Sequence, residues 1–139
     1  MAIEIPDEMA EQINTALEGG VPCLVATAGT DGSVDIAVRG SVCVLDKEHL
    51  AFWERSFGES LTNLRENPGV AIFYRNPATR ATFRFYGKAT LHEAGDPKRD
   101  EIMGHIVERE LNADPERKGF GVLITVDRVR QGGNVIMER

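Results

Sequence analysis

The sequence predicts a mainly β fold, a six-stranded antiparallel β-barrel with flanking helices. Six apolar or alternating runs of strand length fall within about a hundred residues and are separated by turn residues. No regular succession of helices separates these runs, which argues against a parallel, doubly wound sheet. Closing the strands into a barrel removes the exposed edges that an open sheet would carry.

Length and composition limit the class of protein. The 139 residues are expected to form one domain, residues 1–139. The net charge of −6 argues against nucleic acid or an anionic membrane as the partner, because both attract clustered cationic side chains. No apolar run approaches the roughly 20 residues of a membrane span. The acidic start, residues 1–8, lacks the features of a signal peptide, so we expect a cytoplasmic protein.

The chain opens with a predicted helix over residues 6–18. Pro6 suits the first helical turn, and the two acidic residues that follow suit the positive end of the helix dipole. A Gly-Gly pair ends the helix. Apolar residues at helical spacing predict one stripe that packs against the rest of the chain: Met9, Ile13, Ala16 and Leu17.

A β-hairpin is predicted next. Residues 21–28 are apolar and β-branched, residues 34–44 alternate, and an Asp-Gly turn signal lies between the two runs. With those two residues as the turn, Cys23 pairs with Gly40. Cys43 then lies on the face opposite Cys23. We expect both cysteines to be core or sheet-face residues without a disulfide between them.

The middle of the chain predicts two further strands and a short helix. The third strand covers residues 49–53, and an irregular link follows it. Ser60 is expected to cap a helix over residues 61–66, which an Asn-Pro pair stops. The fourth strand covers residues 69–75.

The fifth strand, residues 80–92, has the clearest alternation in the chain. Its core face is predicted to carry Ala81, Phe83, Phe85, Gly87, Ala89 and Leu91. The opposite face carries a basic stripe, Arg80, Arg84 and Lys88, which we interpret as a solvated or dimer-facing row.

The C-terminal third is predicted as a helical insert over residues 96–112 and a last strand over residues 119–129. Asp96, followed by proline, begins the helix. Asp114, also followed by proline, begins a further turn. The tail from Gln131 contains a Gly-Gly pair and is expected to be loose.

No short motif announces the chemistry. The histidines and cysteines show no metal-ligand spacing, so no metal site is predicted. A phosphate-binding loop, a dinucleotide fingerprint and a nucleophile elbow are all missing from the sequence. The three histidines, His49, His92 and His105, are expected at the surface, and the catalytic residues stay unknown.

The order and spacing of several segments carry a resemblance. The opening helix is followed by VPCLVATAGTDGSVDIAVRGSVCVL and then by HLAFWERSFGESLTNLRENPGVAIFYRNPATRATFRFYGKATLHE. The most telling part is a strand that ends in an aromatic residue, a loop with Gly and Ser, and then NLRENPGVAIFYR. From Ile5 to Glu93 the chain resembles the pyridoxamine 5'-phosphate oxidase-like, FMN-binding split-barrel family. Residues 119–129 fit the last barrel strand of that family.

The resemblance implies a six-stranded split barrel of the FMN-binding type that forms a homodimer with the flavin at the interface. In that family an arginine of the second strand grips the flavin phosphate, and Arg39 matches it. A second, cationic stretch enters the helix after the third strand. Here that stretch reads Gly58-Glu59-Ser60, so Glu59 and Ser60 stand at the cationic positions. Glu59 would repel a phosphate unless its side chain points to water.

Other groups could compensate for the missing cations. The backbone N–H groups at the start of the Leu61 helix form a ready anion site, the Ser60 hydroxyl can donate, and Arg55 could reach over from the loop. Trp53 could pack against the flavin ring, Thr82 matches a position that faces it, and Ser41 lies on the same face as Arg39. The predicted cofactor-binding residues are Arg39, Ser41, Trp53, Glu54, Arg55, Ser60, Leu61 and Thr82.

Simpler interpretations compete with these assignments. Arg39 could be a salt-bridge residue of a dimer. Trp53 could be plain core or interface packing, because aromatic residues dominate both. Ser60 serves as a helix cap whether or not it binds a ligand.

The resulting functional hypothesis is an FMN-dependent oxidoreductase that acts on a small molecule by hydride transfer at the flavin. In such enzymes the cofactor carries the reaction and the protein supplies position and electrostatics. The alternatives are a deazaflavin-dependent reductase, a non-catalytic flavin- or haem-binding protein, and a barrel that acts only by association. The tail RQGGNVIMER lacks the Arg-x-His-like motif of the true pyridoxamine phosphate oxidase, so that activity is not expected.

Overall fold

A computed structural model describes residues 2–139. The strands are β1 (Cys23–Ala28), β2 (Val34–Arg39), β3 (Cys43–Asp46), β4 (His49–Glu54), β5 (Gly69–Asn76), β6 (Ala81–His92), β7 (Phe120–Gln131) and β8 (Asn134–Glu138). The helices are α1 (Asp7–Asn14), α2 (Glu59–Glu66), α3 (Pro97–Met103) and α4 (Glu108–Asn112). The predicted mainly β class with flanking helices is confirmed.

All strands belong to one antiparallel sheet. Its order is β2-β1-β5-β6-β7-β4-β3, with β8 added to β7. The strands at the two ends of this path, β2 and β3, follow each other in sequence across residues 40–42. The path is therefore a ring with one gap, which residues 40–42 connect along the chain and the Arg39–Glu54 ion pair crosses.

The prediction of six strands was wrong, because the sheet formed by residues 2–139 has eight. The run over residues 34–44 breaks after Arg39, and β3 begins at Cys43. Alternating side chains indicate that the backbone is extended, but they do not show which strand it pairs with. Residues 34–39 pair with β1, whereas residues 43–46 pair with β4, so the run forms two strands. The tail also forms a strand, since Gly132 adopts a φ of 58° and turns the chain back into β8.

The predicted register of the first hairpin was wrong by one residue. Cys23 pairs with Arg39 instead of Gly40, and Ala28 pairs with Val34. The Gly29 N–H donates to the Ser33 carbonyl over 2.8 Å, which makes a three-residue loop. Gly32 takes the left-handed position of that loop, with a φ of 87°. An Asp-Gly pair is typical of both two-residue and three-residue hairpin loops, so the sequence alone does not distinguish the two.

Strand β6 follows the predicted alternation. Phe83, Phe85 and Ala89 are buried, whereas Arg84 and Tyr86 lie on the opposite face. A bulge at Tyr86–Gly87 shifts the register against β7. A Cβ at Gly87 would lie 2.2 Å from the Thr125 carbonyl oxygen, so only glycine permits this approach of two strands.

The helices lie where they were predicted, but the insert over residues 96–112 contains two helices, α3 and α4, and two helix ends differ. Helix α1 ends at Asn14, earlier than the predicted residue 18, and turns follow it. The cap of α2 is Gly58, so the prediction of Ser60 as the cap was wrong. Asp96 does cap α3, because its carboxylate accepts from the Lys98 N–H over 2.9 Å.

Two hydrophobic clusters hold the fold together. The main cluster fills the barrel, and a second one lies between the outer face of β3 and β4 and helix α3. Cys23 belongs to the main cluster and Cys43 to the second, as their predicted opposite faces require. Burial raises the pKa of each thiol to about 12. Among residues 2–139, no helix is long and apolar enough to cross a membrane.

Candidate functional site

The end of strand β4 sends two neighbouring side chains to opposite faces. Trp53 belongs to the second cluster, under α3. Glu54 lies on the face of Phe52, which belongs to the main cluster. Both side chains are almost fully buried, but their surroundings differ, and Glu54 lies at the candidate site.

The carboxylate of Glu54 is enclosed by donors. Its Oε2 atom accepts hydrogen bonds from the Ser56 N–H, the Ser56 hydroxyl and the Phe57 N–H, each over 2.9 Å. Its Oε1 atom lies 2.6 Å from Nη2 of Arg39. Two backbone amides, a hydroxyl and a guanidinium therefore surround one anion.

Arg39 enters this group from the end of β2. Its guanidinium lies 5.6 Å from the centre of the Phe52 ring, and its Nη1 donates to the Ser56 hydroxyl over 3.3 Å. The contact with Glu54 is close but lacks hydrogen-bond geometry. Within residues 2–139, Glu54 Oε1 is therefore buried without a hydrogen-bond partner. Arg39 Nε is also buried without one. Unpaired buried polar atoms are rare in proteins and often mark sites that bind something.

A cleft of about 270 Å³ opens beside this ion pair. Its polar wall contains Arg39, Arg55, Ser56 and Glu110, and its apolar wall contains Val38 and the edge of the buried Trp53. Arg55 lies 3.7 Å from the Glu110 carboxylate and is substantially exposed. Arg39, Trp53 and Arg55 are thus the predicted site residues that line one cleft. Glu54 is buried beside the cleft, in contact with Arg39.

Trp53 and Ser41 are tied into a different network. The Ser41 hydroxyl accepts from the Trp53 N–H over 2.9 Å and lies 3.3 Å from the Trp53 carbonyl. The Trp53 indole donates to Asp114 over 2.8 Å, and the Arg99 guanidinium lies 4.9 Å from its ring centre. These contacts leave Trp53 only 1% exposed, so its packing interpretation has direct support.

Asp114 is held as an anion by its partners. Besides the indole, it accepts from the Lys118 N–H over 3.0 Å and from the Gly119 N–H over 2.8 Å. Burial by itself would raise the pKa of Asp114, but these hydrogen bonds outweigh burial and lower the pKa below its ordinary value.

The start of α2 is joined to the neighbouring strands. The Ser60 hydroxyl donates to the Asp35 carboxylate on β2 over 3.2 Å. Leu61 is buried, and Asn63 donates to Thr27 on β1 over 3.1 Å. Glu59 is exposed, so its side chain points to water. In this orientation it would not strongly repel a phosphate bound near the start of α2. The Ser60 hydroxyl is directed to an acid of this chain.

Within one chain, Thr82 lies far from the cleft. It pairs with Arg75 on β5 and precedes the buried Phe83, so its side chain is on the outer face of the sheet. Arg39 is on the inner face, where it pairs with the buried Cys23. Two strands lie between β2 and β6, a separation of about 14 Å at the usual strand spacing.

The side of β2, β1, β5 and β6 that points away from the main hydrophobic cluster is an apolar surface. We call this surface the outer face. Val34, Ile36 and Val38 of β2 are 77%, 63% and 60% exposed. A hollow of about 250 Å³ on this face lies between β2 and β6, with Ile36 at one side and Tyr86 at the other. Val38 also lines the cleft, so the outer face and the cleft are continuous.

The basic stripe predicted on β6 does not act as one unit. Arg84 lies over the Phe73 ring at 5.1 Å and lines the hollow of the outer face. Lys88 is 3.8 Å from Asp127 and is largely exposed. Arg80 precedes the strand, with a φ of 62°. The solvated interpretation fits Lys88, which is 72% exposed, whereas Arg84 packs on an aromatic ring of its own chain.

Ser56 and Asp114 are among the residues of these networks that were not predicted from the sequence as site residues. Ser56 falls in the link after β4, and its only signal is a serine two residues after a glutamate, a spacing of local side-chain to backbone hydrogen bonds. Asp114 was predicted only as a turn residue. Its indole partner is 61 positions away, and no local pattern reports such a contact.

The fold defines the chain as a split β-barrel, and comparisons identify its family. The sequence model of pyridoxamine 5'-phosphate oxidase matches residues 9–131. The chain therefore belongs to the pyridoxamine 5'-phosphate oxidase family, and the resemblance seen in the sequence is confirmed. No curated protein matches the chain.

Solved structures show the same fold at low sequence identity. A candidate pyridoxamine 5'-phosphate oxidase from Lactobacillus delbrueckii is 23% identical, with a TM-score of 0.71 over 93% of this chain and 95% of that one. HupZ of Group A Streptococcus is 20% identical, with a TM-score of 0.70 over 97% and 98%. A pyridoxamine 5'-phosphate oxidase-related, FMN binding protein from Nostoc punctiforme is 17% identical, with a TM-score of 0.68 over 88% and 78%.

The donors around Glu54 fit the phosphate of a flavin in kind. A phosphate takes backbone N–H groups, hydroxyl groups and arginine, and Ser56, Phe57 and Arg39 supply all of these at one point. The chain's own carboxylate accepts from the same donors. The site is thus built for an anion, and Glu54 provides one.

Proposed function

We propose that the protein is a flavin-binding homodimer that uses FMN at the subunit interface to oxidise or reduce a small molecule. The observation that carries this proposal is the continuity of the outer face with the cleft through Val38. A contiguous exposed apolar surface marks a partner or ligand site. A second copy packed on the outer face by two-fold symmetry would close the cleft and bury the valine and isoleucine side chains of β2.

The proposed roles of the site residues follow from their positions. Arg39, Arg55 and Ser56 would line the end of the cleft that receives the phosphate. Because Arg39, Ser56 and the Phe57 N–H already contact Glu54, we expect the protein to hold this phosphate weakly. The start of α2 at Ser60 and Leu61 would bound the same end. When bound, a flavin supplies hydride transfer at its ring, and the protein positions the substrate and excludes water.

The remaining predicted residues would act more indirectly. Ser41 and Trp53 fix the end of β4 from which Glu54 extends, so they would position the site. Thr82 lies on the outer face and could reach a ring only across the interface, from the second copy. The FMN binding of the Nostoc punctiforme relative supports FMN as the first cofactor to test.

An absorption spectrum tests the cofactor. The protein is measured as purified, and again after addition of FMN and desalting. A retained flavin double band is the expected result. A Soret band would replace the proposal with haem binding, and a deazaflavin spectrum would replace it with a deazaflavin-dependent reductase. A protein that retains no flavin would contradict the proposal.

The dimer is tested on the outer face. Ile36→Asp places a charge at the centre of the exposed β2 row and should give a monomer that no longer retains flavin. Val135→Asp on β8 is the matched control, because Val135 is also an exposed apolar residue but lies on another strand. Sedimentation of both variants and the wild type gives the oligomeric state. An unchanged oligomeric state of Ile36→Asp would contradict the proposed interface.

A further inference from the structure

We propose that Glu54 is a specificity-determining residue that fills an anion site with the chain's own carboxylate and so selects against a phosphate at this end of the cleft. The anion class is phosphate, either free or at the end of a cofactor. This inference rests on the proposed function for its biological meaning. The anion site itself is argued from contacts within the chain.

The first argument is the donor set. Three hydrogen bonds of 2.9 Å converge on Glu54 Oε2, and two of them come from consecutive backbone N–H groups. Consecutive amides that point to one spot form a concave site that binds anions. Arg39 adds a full positive charge 2.6 Å from the other carboxylate oxygen. The site would attract any anion that reached it.

The second argument is the shape of the loop. Phe57 has a φ of 54°, in the left-handed region that non-glycine residues rarely adopt. In this conformation its N–H points to the carboxylate, while its ring packs edge-on against Phe120 at 5.5 Å. The loop after β4 is therefore held in a strained conformation around an anion.

The third argument is access from the cleft. Arg39 and Ser56 line the cleft together with Arg55 and Glu110, so an incoming anion meets two of the three residues that hold Glu54. A second anion cannot share them at contact distance, because two like charges a few ångströms apart repel strongly in a partly dry site. The unpartnered Arg39 Nε shows that Glu54 does not use the full donor capacity of the guanidinium.

Removal of the carboxylate should open the site to phosphate. In Glu54→Ala the four donors lose their acceptor, and inorganic phosphate can take its place. We expect phosphate at about 50 mM, against chloride of equal ionic strength, to raise the Tm of this variant by about 3 °C or more. The wild type should not respond. Glu66→Ala is the matched control, because Glu66 is an exposed glutamate at the far end of α2.

The outcomes separate the two proposals. Phosphate stabilisation confined to Glu54→Ala supports the inference whether or not the protein binds flavin. No stabilisation of Glu54→Ala, or equal stabilisation of Glu66→Ala, would overturn it. The absence of flavin binding in every variant would contradict only the proposed function.

A second measurement keeps the inference testable if Glu54→Ala does not fold. FMN and riboflavin differ only in the phosphate, so the ratio of their affinities reports the phosphate contact. We expect the wild-type affinities for FMN and riboflavin to agree within about threefold. An arginine site that is open to the phosphate would favour FMN by roughly 10-fold or more. Glu54→Gln should raise the preference for FMN by about 10-fold. A wild type that already prefers FMN by this margin would overturn the inference.

Discussion

Trp53 and Glu54 are neighbours on β4, yet they lie in two regions of opposite character. The indole of Trp53 has a hydrogen-bond acceptor, a cation over its ring and a closed hydrophobic cluster around it. The carboxylate of Glu54 has an ion pair with poor hydrogen-bond geometry and a cleft at its side. Fully satisfied polar groups make a region rigid, whereas partly satisfied groups beside a cleft remain available to a ligand.

The closed region is also the more crowded one. A Cβ at Gly119 would lie 2.5 Å from the Trp53 indole nitrogen and 2.8 Å from the Glu54 carbonyl oxygen. The Arg99 side chain donates to the backbone carbonyls of Gly119 and Arg117 and lies over the same indole. This region thus anchors the end of β4, and the Glu54 region is built on that anchor.

The largest effect is expected when the closed region is broken at Asp114. Asp114→Ala removes the acceptor of the Trp53 indole and of the Lys118 and Gly119 N–H groups. Leaving such donors unsatisfied should lower the free energy of unfolding by about 3 kcal/mol. Urea unfolding measures the change. Asp100→Ala is the control, because Asp100 is an exposed residue of α3, and a similar loss there would contradict the role of the Asp114 network.

Acid should remove the difference between Asp114→Ala and the wild type. The pKa of Asp114 is lowered in the folded state, so its stabilising contribution is complete above the ordinary value near 3.8. The contribution is lost as the pH falls through that value toward the lower, folded pKa. The Tm gap between the two proteins should therefore be constant near neutral pH and narrow below about pH 4. A gap that widens in acid would contradict the assignment.

A smaller loss of stability is expected in the Glu54 region. Arg39→Ala removes the ion pair with Glu54, but the carboxylate keeps its three hydrogen bonds from the loop. We expect a loss of about 2 kcal/mol in the free energy of unfolding, below the full cost of breaking a completely buried pair. Flavin binding should weaken while the dimer persists.

Sedimentation and a flavin titration of Arg39→Ala separate its two interpretations. Loss of the dimer would support a salt bridge between subunits and contradict the assignment to the cleft. Arg55→Ala is the stability control, because its side chain is 40% exposed and its contact with Glu110 is long, at 3.7 Å. Exposed pairs of this kind contribute little, so a change below about 0.5 kcal/mol is expected.

The smallest effect is expected at Glu59. Glu59→Lys replaces an exposed anion at the first residue of α2 with a cation. The new cation would attract the phosphate across solvent, and exposed charge interactions are weak. FMN binding should therefore tighten by only about two- to fivefold. Fluorescence quenching of FMN measures the affinity. Unchanged or weaker binding would remove Glu59 from the surroundings of the phosphate, and an equal gain for riboflavin would show that the effect is not on the phosphate.

Much of the fold could be predicted because local patterns report local structure. The alternation of β6 and the aspartate cap of α3 each depend on residues within a few positions. The first hairpin was placed correctly but paired one residue out of register. An Asp-Gly signal does not specify whether the loop has two or three residues.

The candidate site could be predicted only in part. Arg39, Trp53 and Arg55 were named from the sequence, and the structure places all three in the lining of one cleft. Glu54 was named too, and it lies buried against Arg39. Thr82 was grouped with them, but in one chain it lies on the other face of the sheet. A family position specifies a residue type, but it does not specify where that residue lies relative to the other site residues of one chain.

The sequence by itself determined most of the strand and helix segments, the mainly β class and the family, because these depend on periodicity, turn residues and the order of motifs. Only the tertiary structure decided that the Arg39 guanidinium faces the carboxylate of Glu54 and that Trp53 is closed off by Asp114. Those contacts join residues 15 to 61 positions apart. The path of the sheet brings them together, and no local pattern encodes that path.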